Sequence, residues 1–482
     1  MLDFVQIRTT TKVSGKKGFE ESTVTVYPEF IVGPSEDLMV RGGAFYAVWD
    51  EDAGLWSKDP STVARIVDAA LDEKRDHIPE DMNVDVKYLR VYSTKKWEEF
   101  LSYAGSMPDN YHELDSTLTF SDDEVQKCDY VSKRLPYPLK AGSIEAYDSL
   151  MSVLYDPIER QKLEWAIGSV ISGDSVKIQK FVVLYGAAGS GKSTVLNIIQ
   201  MLFEGYYNVF EAKSLTSASD NFALEMFRNN PLVSVQHDGD LSRIEDNTKL
   251  NSIVSHEEMV VNEKRKTKYV TYFRTFLFMG TNRPVKITEA RAGITRRLID
   301  VRPSGQTVPF DKYQVYMAQI RFELSGIAYH CLKVYLDLGM SAYDNYRPLE
   351  MMSATNDFYN FVEENLDVFK QEGGTTLMQA WAMYKKWAED ANVKYPLSKR
   401  AMKEELKGYF RSYDERRREP DGTYRRNVFR DINPDKFKYA ASQRTTVAPE
   451  PISIDLSISK SSLFDKMYAD CPAQLANDSG TP

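Results

Sequence analysis

Eight consecutive residues, Gly186, Ala187, Ala188, Gly189, Ser190, Gly191, Lys192 and Ser193, satisfy the spacing G-x-x-x-x-G-K-[ST], and Thr194 extends the candidate phosphate site. An apolar run, FVVLY, precedes them, and a periodic stretch, TVLNIIQMLF, follows. The residue types suit one task. Glycines let successive backbone N–H groups turn toward phosphate oxygens. Lys192 sets a point charge against the β- and γ-phosphates, and the Ser193 hydroxyl can ligate Mg²⁺. The helix that starts there adds its dipole. The spacing predicts a strand, a phosphate-cradling turn and a helix, with a nucleotide's phosphates and Mg²⁺ as ligands.

Such a loop needs an acid at the end of a neighbouring strand to hold the metal and polarise water. NNPLVSVQHDGDL offers Leu232 to Val235 as a buried strand, followed by Asp238 and Asp240. Asp238 is the first candidate for metal and water and Asp240 the second; a turn-forming Asp-Gly pair is the plainer reading. FLFM then reads as a further buried strand ending at Gly280-Thr281-Asn282, where the Asn282 amide could orient water beside a γ-phosphate. EARAGITRRLIDV places Arg291, Arg296 and Arg297 before another strand. The rigid, permanently charged arginine fork suits transition-state charge; in a ring an arginine here could reach the γ-phosphate held by the neighbouring subunit, and a local ion-pairing role is the alternative. Between acid and asparagine, MVVNEKRKTKYVTYF gives two β-prone arms around a basic tip of Lys264, Arg265, Lys266 and Lys268. A tip of this kind can grip single-stranded DNA phosphates or be no more than a solvated turn. His256 has no partner at metal-ligand spacing, and a capping or packing role is expected for it.

The elements that must position these groups follow from periodicity and breakers. Residues 1–115 mix strand-like runs (STVTVYPEFIV) with a helical one (TVARIVDAALDEKRDHI), and RGGAFYAVWDEDAGLWS reads as two short strands around a polar turn. Residues 116–178 read as a helical collar. Residues 179–305 alternate strand and helix, predicting a parallel sheet covered by helices. Residues 306–365 are helical. Residues 366–440 read as two amphipathic helices, with Ser398 capping the second, and a hairpin turning at Asp421-Gly422, the outline of a winged helix-turn-helix. Residues 441–482, rich in Pro, Ser and Thr, read as a mobile tail in which SSLFDKMYADCPAQL could form a docking helix.

The chain of 482 residues carries a net charge of −9, which excludes a bulk-basic DNA-coating protein but not a local basic channel. It has 42% hydrophobic residues, no apolar run of membrane-spanning length and no signal-like N-terminus, so a cytoplasmic protein (host cytoplasm, if viral) with no membrane partner is expected. Three scattered cysteines predict neither a disulfide framework nor a zinc cluster.

Phosphate loop, acid-ended strand, basic hairpin, Asn-ended strand and paired arginines, in that order, resemble superfamily 3 helicases. The closer resemblance is to the phage and plasmid family related to the C-terminal half of the poxvirus primase-helicase. It covers about residues 120 to 440. It implies an α/β fold: an AAA+-like P-loop NTPase core with a helical collar, a small mixed N-terminal domain and a C-terminal winged helix. It also implies a hexameric ring that hydrolyses ATP with Mg²⁺ and moves on single-stranded or forked DNA, usually 3′ to 5′. Phage replication proteins are implied as partners through the N-terminal domain or tail. Under it Lys192 and Ser193 bind phosphate and metal, Asp238 is the acid, Asn282 the sensor, and Arg296 or Arg297 the finger acting in trans. Lys264 to Lys268 grip DNA. One departure stands out: the family shows a glutamate or two adjacent acids where QHDGD separates its acids with glycine, so Asp238 and Asp240 both stay open. Primase activity is not expected, because Asp85 in NVDVKYL lacks a paired carboxylate. The rival functions are an AAA+ replication initiator or helicase loader, a nucleotide-switched scaffold, and a DNA-packaging motor.

Overall fold

The computed structural model describes residues 1–14, 21–80, 82–90, 94–242, 244–262, 268–285, 292–371, 373–391, 393, 395–418 and 422–433. Two compact units form. One holds residues 1–114 and 124–132; the other holds 115–123 and the described residues from 133 onward.

In the first unit, strands β1 (Val5–Ser14) and β2 (Glu21–Phe30) pair antiparallel along their full length. β3 (Leu38–Arg41), β4 (Ala44–Asp50) and β5 (Leu55–Ser57) form a separate meander. The two short strands expected around the polar turn are β4 and β5, with Trp49 opposite Trp56. Helix α1 (Ser61–Asp76) buries Val63, Val67 and Leu71, spaced four apart on one face. β6 (Asn83–Val86) joins β2 in parallel, and α2 (Thr94–Ala104) adds Trp97 and Phe100 to the core. Asp85 on β6 is ion-paired with Lys87 at 2.8 Å.

The second unit begins with less helix than expected. Pro136 and Pro138 interrupt any helical run, and the first helices are α3 (Glu145–Leu154) and α4 (Pro157–Ile171), the latter with proline in its first turn. Then come β7 (Phe181–Tyr185), α5 (Lys192–Leu202), β8 (Tyr207–Val209), α6 (Ala212–Leu215), β9 (Val233–Gln236) and α7 (Thr248–Val254). A hairpin follows, β10 (Met259–Val261) with β11 (Tyr269–Thr271), and then β12 (Phe276–Thr281), α8 (Ala292–Thr295) and β13 (Leu298–Val301). β13, β7, β12, β9 and β8 lie side by side in that order, every pair parallel. Their near-continuous apolar sequences fit a sheet buried on both faces: β12 is buried at all six positions and β13 at all four.

The 29-residue helix α9 (Phe310–Leu338) lies against α4. Gly168 makes this possible: a Cβ there would stand 2.1 Å from the Cys331 carbonyl oxygen and 2.6 Å from Tyr335 Cβ. Next are α10 (Leu349–Thr355), α11 (Asp357–Glu364), α12 (Leu366–Phe369) and β14 (Thr375–Thr376). The described chain closes with α13 (Leu377–Asp390), α14 (Lys399–Tyr409) and the hairpin of β15 (Phe410–Arg418) and β16 (Tyr424–Ile432). Ser398 caps α14 as expected, its Oγ accepting from the Ala401 N–H at 3.2 Å. Residues 441–482 and Asp421 lie outside the described residues. Among the described residues no helix is long and apolar enough to cross a membrane.

Gly168→Ala forces α4 and α9 apart, and is expected to destabilise the protein by about 1–3 kcal/mol or more. Gly33→Ala, with nothing within 4 Å of its added carbon, should be near neutral by the same chemical denaturation measurement.

Candidate active site

The loop between β7 and α5 is shaped by left-handed backbone at Gly189 (φ +77°) and Gly191 (φ +91°). A side chain at Gly191 would also meet Leu154 at 2.9 Å. Helix α5 carries no side-chain cap, which leaves its N-terminal dipole facing the loop. Lys192 is buried. Its Nζ donates to the carbonyls of Gly186 (2.8 Å) and Ala187 (2.7 Å) and lies 3.5 Å from Ser190 Oγ. Burial holds the ammonium below the usual lysine range, and the charge of Asp238 opposes that shift. Ser193 is exposed at the loop rim.

The acid was expected on the strand next to the loop strand. The sheet order differs: β12 lies between β7 and β9. This middle strand ties both neighbours down. The Thr281 carbonyl accepts from the Gly186 N–H (3.3 Å), and the Gly280 carbonyl accepts from the Gly239 N–H (2.7 Å). Gly239 is therefore not serving as a turn residue with positive φ. It is a close-approach residue, since a Cβ there would stand 2.2 Å from Met279 Sδ.

Asp238 is exposed at the carboxyl end of β9. Asp240 is occupied otherwise. Its Oδ1 accepts from the Ser242 N–H (2.9 Å), its Oδ2 lies 3.2 Å from Arg283 Nη1, and hydrogen bonds from Ser242 hold its carboxyl below the usual range. Asn282 is exposed just beyond β12, between the loop and the acid. Lys192, Asp238 and Asn282 thus come to the carboxyl edge of three adjacent strands, where open α/β sheets bind ligands.

The arginines stand elsewhere. Leu298 is in register with Phe181, so Arg296 and Arg297 precede β13 at the amino edge of the sheet, away from the loop that follows Tyr185. Arg297 is buried, donating to Ser255 Oγ (2.9 Å) and the Gly293 carbonyl (2.9 Å), and burial lowers its pKa. Arg296 is exposed. Of the basic tip, Lys264, Arg265 and Lys266 lie outside the described residues, as does Arg291; Lys268 is exposed. The hairpin arms pair as expected. The His256 ring packs between the carbonyls of Phe273 (2.7 Å) and Ser175 (3.1 Å).

Several residues here were not singled out in the sequence. An open cavity of about 200 Å³ adjoins the glycines, and Leu150, Leu154, Thr307, Val308 and Tyr313 line it. Arg283 on Asp240 is a second, and Gln236, whose Oε1 accepts from the Ala212 N–H at 2.8 Å, a third. α3 and the segment that leads into α9 are more than 150 residues apart in sequence, so only the fold brings the cavity walls together.

A family model described as a family of unknown function (DUF5906) matches residues 184–297. No curated protein matches the chain. Among solved structures, the apo NrS-1 C-terminal region (305–718) is similar at 11% identity and a TM-score of 0.38, covering 77% of this chain and 90% of that one. A second form of the apo NrS-1 C-terminal region gives 13% identity and 0.36, covering 78% and 92%. JCV helicase, bound to a thiazolopyridine-bearing acetamide, gives 13% and 0.23, covering 50% and 63%.

Gly239→Ala is expected to displace the Asp238 segment from β12 and to cost about 1–3 kcal/mol, read by thermal or urea unfolding.

Proposed function

We propose that the chain is an ATP-dependent DNA helicase of phage, plasmid or prophage type, working as a hexameric ring on single-stranded DNA at forks. In this reading the parallel sheet is an AAA+-like P-loop core. Helices α3, α4 and α9 form its collar, and α13 to β16 form a winged helix. The carrying observation is the meeting of Lys192, Asp238 and Asn282 along one strand edge, beside a cavity fit for a nucleobase.

The residues suit ATP and Mg²⁺. The Lys192 donors already face oxygen acceptors in the loop, the positions where phosphate oxygens would replace carbonyls. The Ser193 hydroxyl and the Asp238 carboxylate are hard oxygen donors, few in number, as Mg²⁺ prefers when phosphates and water complete its shell. Bound there, Mg²⁺ would neutralise charge on the terminal phosphates. Lys192 and the α5 N–H groups hold the β- and γ-phosphates in line. Asp238, free of the Ser242 and Arg283 contacts that occupy Asp240, accepts a proton from the attacking water. The Asn282 amide orients that water. Leu150, Leu154 and Val308 enclose the base and Tyr313 stacks on it.

Arg296 supplies transition-state charge to the neighbouring subunit's site, while buried Arg297 ties the segment to Ser255 and to the Gly293 carbonyl. A finger at the amino edge of the sheet and a loop at the carboxyl edge cannot serve one site within one chain, which is why a ring is inferred. The β10–β11 hairpin, inserted between the acid and the asparagine, couples hydrolysis to movement of the strand through Lys264, Arg265, Lys266 and Lys268. Other replication proteins would dock on the N-terminal unit or the tail.

The helix–helix–hairpin region also favours a second reading, an initiator or loader that melts origin DNA or remodels a partner. Unwinding of a forked duplex by the purified protein supports the helicase; ATP hydrolysis without strand displacement supports the initiator. Lys192→Ala should abolish hydrolysis, at least 10³-fold by order of magnitude. Arg296→Ala should match that loss while nucleotide binding persists, whereas Arg297→Ala should chiefly lower the melting temperature. Turnover measured beside equilibrium nucleotide titration separates these outcomes. Tyr313→Ala should raise KM about tenfold with little change in kcat.

A further inference from the structure

The cavity beside the phosphate loop has two walls that come from distant parts of the chain. Leu150 and Leu154 stand on α3; Thr307, Val308 and Tyr313 stand on the segment leaving β13 and on the first turn of α9. What holds the two walls apart at a set distance is visible at the two ends of α3.

Helix α3 does not cap its own N-terminus. Its N-cap residue is Ile144, whose side chain has no hydrogen-bond acceptor. The N–H groups of the first turn are satisfied from elsewhere. Those of Ala146 and Tyr147 donate to the two carboxylate oxygens of Glu323 on α9, each at 3.0 Å, and that of Glu145 donates to Ser143 Oγ at 3.3 Å. Ser143 Oγ itself lies 3.5 Å from Glu323 Oε1. A forked carboxylate placed there also meets the positive end of the helix dipole. Gly326, one turn along α9, makes the reach possible. A Cβ at 326 would stand 2.6 Å from the Ser143 carbonyl oxygen and 2.9 Å from that of Gly142, so the chain entering α3 lies directly on α9.

The far end of α3 is fixed as well. The Ser304 N–H donates to the Leu154 carbonyl at 2.8 Å, and Ser304 Oγ donates to that of Val153 at 2.7 Å. Ser304 comes just before Thr307 and Val308 in sequence, and Glu323 comes after Tyr313. The two pins therefore bracket one wall in sequence and hold the two ends of the other wall in space. Helix stability alone would be served by Ser, Thr, Asp or Asn at position 144. A carboxylate 177 residues beyond Ala146 does what a local cap cannot: it ties the position of Leu150 to α9.

We infer that Glu323 is a positioning residue for the base-holding half of the site, and that α3 and α9 together grip the nucleoside while the glycine loop grips the phosphates. The inference rests on the nucleotide reading of the cavity proposed above. Glu323 acts through α3 and not on the ligand. Without its carboxylate the first turn of α3 loses two acceptors, and a base must restore the wall as it binds, which lowers apparent affinity. The phosphate half is insulated from that loss. Gly189, Gly191 and Lys192 lie at the Leu154 end of α3, which Ser304 still pins.

The test compares two probes on the full chain, ATP and inorganic tripolyphosphate, each titrated calorimetrically with Mg²⁺. Glu323→Ala should weaken ATP about fivefold, the worth of a lost helix cap, and leave tripolyphosphate within about twofold. Glu323→Gln keeps one carbonyl acceptor and should recover part of the ATP affinity. In turnover, Glu323→Ala should raise KM with little change in kcat. A merely structural loosening would weaken both probes together. That result, or no change in either, overturns the inference, while binding of both probes by the parent protein upholds the nucleotide site. A parent protein that holds tripolyphosphate as tightly as ATP overturns the inference too. A parent that binds neither probe removes the nucleotide site, and the inference with it.

Discussion

The backbone at the carboxyl end of β12 governs the geometry of the whole site. Two consecutive carbonyls, on Gly280 and Thr281, accept N–H groups from opposite sides, one from the acid segment and one from the phosphate loop. Chains that are distant in sequence are thereby set a fixed distance apart by a single strand. The close packing around it leaves little slack. Gly280 itself approaches the His237 carbonyl so nearly that a Cβ would sit 2.6 Å away. Small residues at 239 and 280 are the steric condition for strands and loops to meet here, and the polar groups at 238 and 282 inherit their placement from it.

Much of this was legible in the chain. The strand–loop–helix around Lys192 follows from local spacing, and so do α1, the meander of β4 and β5, the hairpin arms and the Ser398 cap. What could not be read locally was adjacency. Nothing in VSVQHDGD or FLFMGTN says which lies next to FVVLY, because parallel strands are joined by long connections and their order is fixed by packing of the whole sheet. The same limit hid the cavity wall, which unites α3 and α9 from far apart in sequence. The two carboxylates of QHDGD look alike in sequence; Ser242 and Arg283 distinguish them only once folded. Burial likewise separates Arg297 from Arg296, a difference that adjacent identical residues cannot display. Helix in the second unit starts only at Glu145, beyond Pro136 and Pro138, which break any helical run before it.

The two ends of the sheet have different chemistry. At the amino edge, Lys180 is buried with its Nζ against the Asp344 carbonyl at 3.2 Å, and burial with nearby arginines pushes its pKa down to about 8. An ammonium there is tolerated rather than sought: the unfolded chain binds that proton more tightly, so this group adds stability as pH rises from about 8 toward the ordinary lysine value. At the carboxyl edge cation and anion face one another, Lys192 with Asp238. Cationic crowding at one margin and mixed charge at the other give the core a polarity along its strands that its net composition conceals.

The arrangement of Lys192 has a thermodynamic consequence. Its ammonium is directed at the Gly186 and Ala187 carbonyls and toward Ser190, so an incoming anion does not meet a bare charge; it must displace interactions already made. Only the difference between new and old contacts contributes to affinity. A singly ionised visitor would gain little by that exchange, while the chain of phosphates in the proposed ligand would repay it at several points along the loop. Under the proposed function the loop would thus discriminate by total negative charge before any base or sugar is felt.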